Sequence, residues 1–268
     1  MDNRPIGVFD SGLGGLTAVR EIRSILPSEN IIYFGDTSRV PYGGRSPETI
    51  LKYARQDVRF LRTFDVKAIL VACGTVSSNA LPRLVEENDV PMSGVVEPAC
   101  CRALALTKKK KVGVIATAAT IRSGAYERVI HALDERTEVL SKACPLFVPL
   151  VENGRFRTGD CVIETVAREY LQELKDAGID TLILGCTHYP LLTEVIAEIM
   201  GGSVQLINTG AEAAWELKRA LKASDALAEG SGSAVLYTSD APEGFAALAG
   251  QFLQRDVNDV RHTDIEKY

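Results

Sequence analysis

Two short segments of this chain place a cysteine at the end of an apolar, strand-like run: ILVACGT at residues 69–75 and LILGCTH at residues 182–188. Each reads as a strand ending in a small residue and a cysteine, then a Thr-containing turn and a predicted helix. A cysteine just before a helix meets the helix N-terminus, whose dipole favours the thiolate by typically 0.3–1 kcal/mol and by up to ~2 kcal/mol in partly buried geometries. Lowering a free-thiol pKa of about 8.5 to about 7 takes roughly 2 kcal/mol. The upper end of the dipole effect therefore predicts Cys73 and Cys186 titrating near neutrality. One thiolate on one face of a carbon centre and one thiol on the other make a two-base device. The first removes a proton, the second delivers one from behind, and the stereocentre inverts.

The surrounding residues suit that task. Asp10 and His188 each fall in the turn after a strand-like run, where either can orient a cysteine or share its proton; positioned acid–base groups contribute typically 10²–10⁴-fold. Ser11, Thr75, Thr117, Thr120 and Thr187 supply hydroxyls. Gly12, Gly14, Gly15, Gly43 and Gly74 let backbone N–H groups approach an anion at helix starts, so the expected ligand is a small carboxylate. No lysine stands at a strand end to carry a pyridoxal Schiff base. No cofactor is expected, and electrostatics alone must stabilise the carbanion. Cys186 and His188 make at most half of a zinc site, because the only other histidines are His131 and His262 and no second Cys/His cluster exists. No metal is expected.

Plainer readings stand beside these. A single cysteine behind a small residue on a buried strand is more often packing than catalysis, although its recurrence favours the pair. Asp10 also reads as a helix N-cap, Tyr42 as a turn residue packed after Pro41, and His188 as a hydrogen-bonded structural histidine. A rival from another class starts at DSGLGG, residues 10–15, with Asp36 ending the next strand-like run. This resembles a dinucleotide-binding fingerprint. The third glycine position falls on Thr17, however, and Asp10 would set a negative charge beside the pyrophosphate.

The elements that must carry these residues alternate between short β-rich runs and stretches of helical periodicity, which predicts an α/β fold with parallel sheets. Strand Ile6–Phe9, a helix over about 16–25, strand Ile31–Phe34, a helix over about 47–64, strand Ala68–Ala72, a helix over about 76–87 and strand Ser93–Val96 make a first set. In the 47–64 helix, Ile50, Leu51, Ala54, Val58 and Leu61 recur at helical spacing. After Glu97-Pro98 come a helix, strand Val112–Ala116, a helix over 123–133, a Pro-bounded apolar run at 146–151, a helix over 160–177 and strand Thr181–Leu184. AEGSGS, residues 228–233, is the best flexible-loop candidate. GVFDS at 7–11 parallels GVIAT at 113–117, and the two cysteine segments parallel each other, so the two sets read as copies. Ligand crevices lie at the carboxyl ends of parallel strands, and two such sheets face to face bring Cys73 and Cys186 into one cleft.

The 268 residues suit two small domains. Apolar runs such as Val112–Ala116 fall far short of the roughly 20 residues that span a bilayer, so no membrane partner is expected. MDNRPIGVFD lacks the zones of a signal peptide, and six cysteines without a CxxC pair suggest reduced thiols; a cytoplasmic location follows as an expectation. A net charge of −5 argues against a nucleic-acid partner. Lys108–Lys111 reads as a solvated loop.

GVFDSGLGGLTAV, YFGDTSRVPYGGRSPETI, VACGTVSSNAL, GVVEPA, VGVIATAATIRSGAYERVI, CPLFVPLVENG and LILGCTHYPLL stand in an order and spacing similar to the glutamate racemases of the Asp/Glu racemase superfamily, to about residue 213. The resemblance implies cofactor-independent interconversion of L- and D-glutamate, which supplies peptidoglycan synthesis. It implies two α/β domains related by a pseudo-twofold with the site between them: 1–97 plus 212–268, and 98–211. It places the two catalytic cysteines on Cys73, acting on D-glutamate, and Cys186, acting on L-glutamate. Substrate contacts fall on Asp10, Ser11, Tyr42, Gly43, Gly74, Thr75, Thr187 and His188, and Glu152 matches a residue assisting the acid–base pair. A homodimer is the expected assembly. Gly74 departs from the family, which usually has Asn there; the missing side-chain hydrogen bond is worth about 0.5–1.5 kcal/mol, or 1.5–3 kcal/mol to a charged partner. Rival activities are an aspartate or other amino-acid racemase, a cysteine-nucleophile amidase using Asp10, Cys73 and His188, and a silent binding protein.

Overall fold

The runs IGVFD, AILV and TLIL are buried at every position, a pattern met when a parallel sheet is covered by helices on both faces. In the computed structural model, which describes residues 1–257 and 259–268, they form the centres of two sheets. The first half of the chain gives β1 (Ile6–Asp10), α1 (Leu16–Ile25), β2 (Ile31–Gly35), α2 (Pro47–Arg62), β3 (Ala68–Val71), α3 (Gly74–Asn79), α4 (Leu81–Glu87), β4 (Met92–Gly94) and α5 (Val96–Leu106). Then come β5 (Lys111–Ala116), α6 (Ala118–Ser123), α7 (Ala125–Leu133), β6 (Glu138–Ala143), α8 (Phe147–Glu152), α9 (Cys161–Asp176) and β7 (Thr181–Leu184). The remainder is α10 (Thr193–Met200), β8 (Gln205–Asn208), α11 (Thr209–Ala223), β9 (Ala234–Thr238), α12 (Pro242–Leu253) and β10 (Val260–His262).

One sheet has the strand order β10-β9-β2-β1-β3-β4 and the other β6-β5-β7-β8, and the paired strands run parallel. The repeat visible in the sequence is a repeat of register. Gly7 of β1 pairs with Ile69 of β3, and Gly113 of β5 pairs with Leu182 of β7. Each cysteine therefore leaves its sheet beside the equivalent neighbour strand.

Several expected elements differ in detail. The helix expected over 76–87 is two, α3 and α4, because Pro82 in the first turn of α4 has no N–H to bond back into the preceding turn. The helix expected over 123–133 is α7, and a separate short helix, α6, precedes it and ends at Gly124, whose φ of +62° takes the left-handed conformation that favours glycine. Val96 starts α5 rather than ending a strand, and the apolar run at 146–151 is the short helix α8. β6 lies on a sheet edge, and its partly exposed EVLSKA has too little alternation to be read as a strand. AEGSGS is irregular but pinned rather than free. The Ala228 N–H donates to Glu29 Oε1 at 2.9 Å, the Gly232 N–H donates to Pro27 O at 3.1 Å, and an added Cβ on Gly232 would overlap the Glu29 carbonyl. No described helix is long and apolar enough to cross a membrane.

Candidate active site

Both cysteines open into a single cavity of about 440 Å³, one from each sheet. Cys73 follows β3 by two residues and sits at the position that caps α3, with extended backbone. Cys186 follows β7 by two residues but leads into a turn, and only at Tyr189 does a 3₁₀ helix begin. Ser11, Tyr42, Gly43, Gly74, Thr75, Glu152, Thr187 and His188 line the same cavity, so nearly all the expected site residues meet there. Asp10 is the exception. It lies behind the wall, fully buried, where Oδ2 accepts the Gly12 N–H at 3.0 Å and Oδ1 accepts the Thr187 hydroxyl at 3.3 Å. It is not the N-cap of α1, whose cap position is Gly15 with no side-chain bond.

The cavity is closed by contacts that cross between the two sheets. The Ala119 N–H donates to Gly43 O at 2.9 Å, the Thr75 and Thr117 hydroxyls meet at 2.9 Å, and the Thr17 hydroxyl donates to Thr187 O at 2.9 Å. Two glycines permit this approach. A Cβ at Gly14 would overlap the Thr187 hydroxyl and the His188 ring, and a Cβ at Gly74 would overlap the Gly185 carbonyl. Gly14 thus makes room for a side chain of the other half, not for an anion. Gly15 is filled by Asp10 and by Tyr33, whose hydroxyl donates to Gly12 O at 2.7 Å. The DSGLGG turn is therefore occupied by protein, and Asp36 is fully buried and bonded to Arg39 at 2.6 Å. Neither the pyrophosphate nor the ribose of a dinucleotide has a place there.

The two thiols sit in different electrostatic surroundings. Cys73 Sγ lies 3.6 Å from Ser11 Oγ, and its thiol is pushed up to about 12 by burial first and by the charge of Asp10 second. This corrects the expectation of two near-neutral thiols: a helix start favours a thiolate by at most ~2 kcal/mol, and the loss of hydration around a fully buried sulfur outweighs it. Cys186 Sγ lies 3.9 Å from His188 Nδ1, and His188 Nε2 lies 2.9 Å from Glu152 Oε1. Burial works against the imidazolium, but the bonds to Cys186 and Glu152 together outweigh it and hold His188 up to about 10. The Phe252 ring meets His188 edge-on at 5.4 Å and fixes its plane.

Sequence reasoning gave no role to the apolar wall. Val40, Pro41, Ala118, Pro145, Val148 and Pro149 line the cavity, as does a third cysteine, Cys144. The Pro-bounded run at 146–151 was their signal, since α8 delivers Val148, Pro149 and Glu152 together. Among the described residues of the lining there is no lysine or arginine. An anion in this cavity must be met by N–H groups, hydroxyls and the His188 imidazolium.

A family model described as Asp/Glu/Hydantoin racemase matches residues 15–217. A glutamate racemase from Geobacter metallireducens is 45% identical over 98% of this chain and 97% of its own length. Among solved structures, a glutamate racemase from Bacillus anthracis superposes with a TM-score of 0.94 at 39% identity, covering 98% of both chains. One from Francisella tularensis, in complex with D-glutamate, superposes with a TM-score of 0.92 at 40% identity over the full length of both. With relatives of this closeness along its whole length, the chain belongs to the Asp/Glu racemase family, among its glutamate racemases, and is an enzyme of the isomerase class.

Proposed function

We propose that this enzyme interconverts L- and D-glutamate by direct proton transfer between two sulfurs, with no cofactor. The observation that carries the reading is that Cys73 and Cys186, delivered by equivalent strand ends of two sheets, line one cavity large enough for an amino acid. Cys186 as thiolate takes the α-proton of L-glutamate, and the electron pair stays on the α-carbon and its carboxylate. Cys73, which burial keeps a thiol at neutral pH, gives its proton to the opposite face. D-glutamate leaves a Cys186 thiol and a Cys73 thiolate, and the reverse reaction or proton exchange with water resets the pair. His188 can hold the proton that Cys186 gives up, and Glu152 orients the imidazole.

Substrate is received by Ser11, Tyr42, Gly43, Gly74, Thr75, Thr187 and His188, with Asp10 acting through Gly12 and Thr187 from behind the wall. Gly74 offers a backbone N–H and no side chain. The protein works in the cytoplasm, supplies D-glutamate for peptidoglycan, and acts as a homodimer. Its halves are 1–97 plus 212–268, and 98–211. The test is deuterium wash-in at the α-carbon of L-glutamate in deuterated water with no added cofactor, followed by circular dichroism. Incorporation with loss of optical rotation is expected; no incorporation, or faster reaction with L-aspartate, overturns the reading.

A further inference from the structure

Tyr42 and Gly43 line the cavity, yet the Tyr42 hydroxyl bonds to Asp36 and lies 3.4 Å from Asp57, neither of which reaches the cavity. Both carboxylates are wholly buried, and among the described residues Arg39 is the cation that pairs with them. Arg39 places Nε 2.6 Å from Asp36 Oδ2, Nη2 3.2 Å from Asp57 Oδ1, and Nη1 2.5 Å from Gln56 Oε1. Its guanidinium lies 4.3 Å over the Tyr53 ring, and that ring packs on Tyr42 at 5.4 Å. The far end of the chain closes the cluster. A terminal 3₁₀ turn, Ile265–Lys267, puts Glu266 Oε1 3.3 Å from Arg39 Nη1, and the Ile265 carbonyl accepts from Gln56 Nε2 at 3.4 Å. Ser239, just after β9, donates to Asp36 Oδ1 at 2.8 Å.

Burial, with Asp36 alongside, drives the Asp57 carboxyl well above its usual range. The Arg39 guanidinium bridges the two acids by bonding Asp36 through Nε and Asp57 through Nη2. A lysine supplies the same charge but cannot bond three acceptors in a plane while stacking on a ring. The cluster roots the loop between β2 and α2, whose tip carries Tyr42 and Gly43. The Gly43 carbonyl accepts across the cleft from the Ala119 N–H, and a Cβ on Gly43 would crowd Thr117. A shift of the root therefore moves the cavity wall and the cross-cleft contact together.

We propose that Arg39 is a positioning residue for the reaction: gripped by Asp36 on one side and by the chain's C-terminal turn on the other, it sets the Tyr42–Gly43 wall in the shape that receives substrate. This rests on the glutamate reading above, so the test carries one measurement that needs no substrate. In the full-length protein, Arg39→Lys keeps the charge and loses the fork. Glu266→Gln removes the C-terminal grip from a side chain that is 66% exposed, leaving the buried acids untouched. Arg39→Lys is expected to raise KM for glutamate by about tenfold or more while kcat changes by less than about threefold. Glu266→Gln is expected to raise KM by about twofold with kcat unchanged, since an exposed ion pair is weak. Amide hydrogen exchange at residues 40–45 should quicken in both variants while β1 and β3 keep their protection. Wild-type KM or unaltered exchange at 40–45 in Arg39→Lys overturns the proposal, as does an apparent kcat that falls with the folded fraction at unchanged KM. A wild-type enzyme inactive on glutamate would sink the proposed function, and the exchange result would then decide the role of Arg39 alone.

Discussion

Cys73 and Cys186 leave their sheets at equivalent registers, but the groups within reach of each sulfur differ in sign. Beside Cys73 stand a hydroxyl and, behind it, the Asp10 carboxyl; beside Cys186 stands an imidazole backed by Glu152. Duplicated backbone does not give duplicated chemistry, because the charge at each strand end comes from elsewhere: Asp10 from β1, Glu152 from the end of α8. The site is thus polarised, with a firmly held thiol proton at Cys73 on one side and the His188 imidazolium backed by Glu152 on the other.

The harshest way to break this contrast is to remove either sulfur. Cys73→Ser and Cys186→Ser should each lower racemisation by more than about 10³-fold with the fold intact by circular dichroism. Each should still eliminate a leaving group from a β-substituted amino acid, with opposite enantiomer preference; equal preference would mean that the thiols do not face each other. Gly14→Ala should cost about 10²-fold in kcat, because the added methyl displaces Thr187 and His188 beside Cys186. Steady-state rates would show it, and a wild-type kcat would mean that the Cys186 side tolerates the methyl.

Glu152→Gln keeps the shape but takes the charge from a partly exposed partner of His188. A loss of about tenfold in kcat is expected, at the low end for a charged hydrogen bond; an unchanged rate would remove Glu152 from the site. The smallest effect is on stability. Folding raises the His188 pKa from 6.5 to about 10, so the native state binds that proton more tightly than the unfolded chain. The stabilisation is complete below about pH 6.5 and is lost as pH rises through about 10. The Tm difference between wild type and His188→Gln should shrink over that window, and a constant difference would show that the imidazole titrates normally.

The central strands, both cysteines and their shared cleft were legible because apolar runs ending in Ala-Cys or Gly-Cys have no helical periodicity and recur. Register, not similarity of side chains, is what the repeat preserved. The edges were harder. β6, EVLSKA, has neither an apolar run nor a clear alternation at a solvent-facing margin, and β9 and β10 return from a distant part of the chain to a sheet that looks finished at residue 94. Asp57 passed unnoticed as one charge on a polar helix. Its place on the stripe of Ile50, Ala54, Val58 and Leu61, buried with them, was the available signal that an acid faces inward. The direction of the Cys73 shift is not legible in the sequence, because a dipole can be read from position, whereas dehydration depends on what packs overhead.

The strand order carries a consequence for how the molecule comes into being. β5 to β8 are contiguous along the chain, so the four-stranded sheet can assemble once residue 208 has been synthesised. The six-stranded sheet is begun first and completed last: until β9 arrives, the main-chain edge of β2 stands open, a row of unsatisfied donors and acceptors of the kind that recruits other chains. Premature termination between residues 209 and 233 should accordingly yield aggregates rather than a smaller folded protein, even though every cysteine and histidine of the cavity would already have been made.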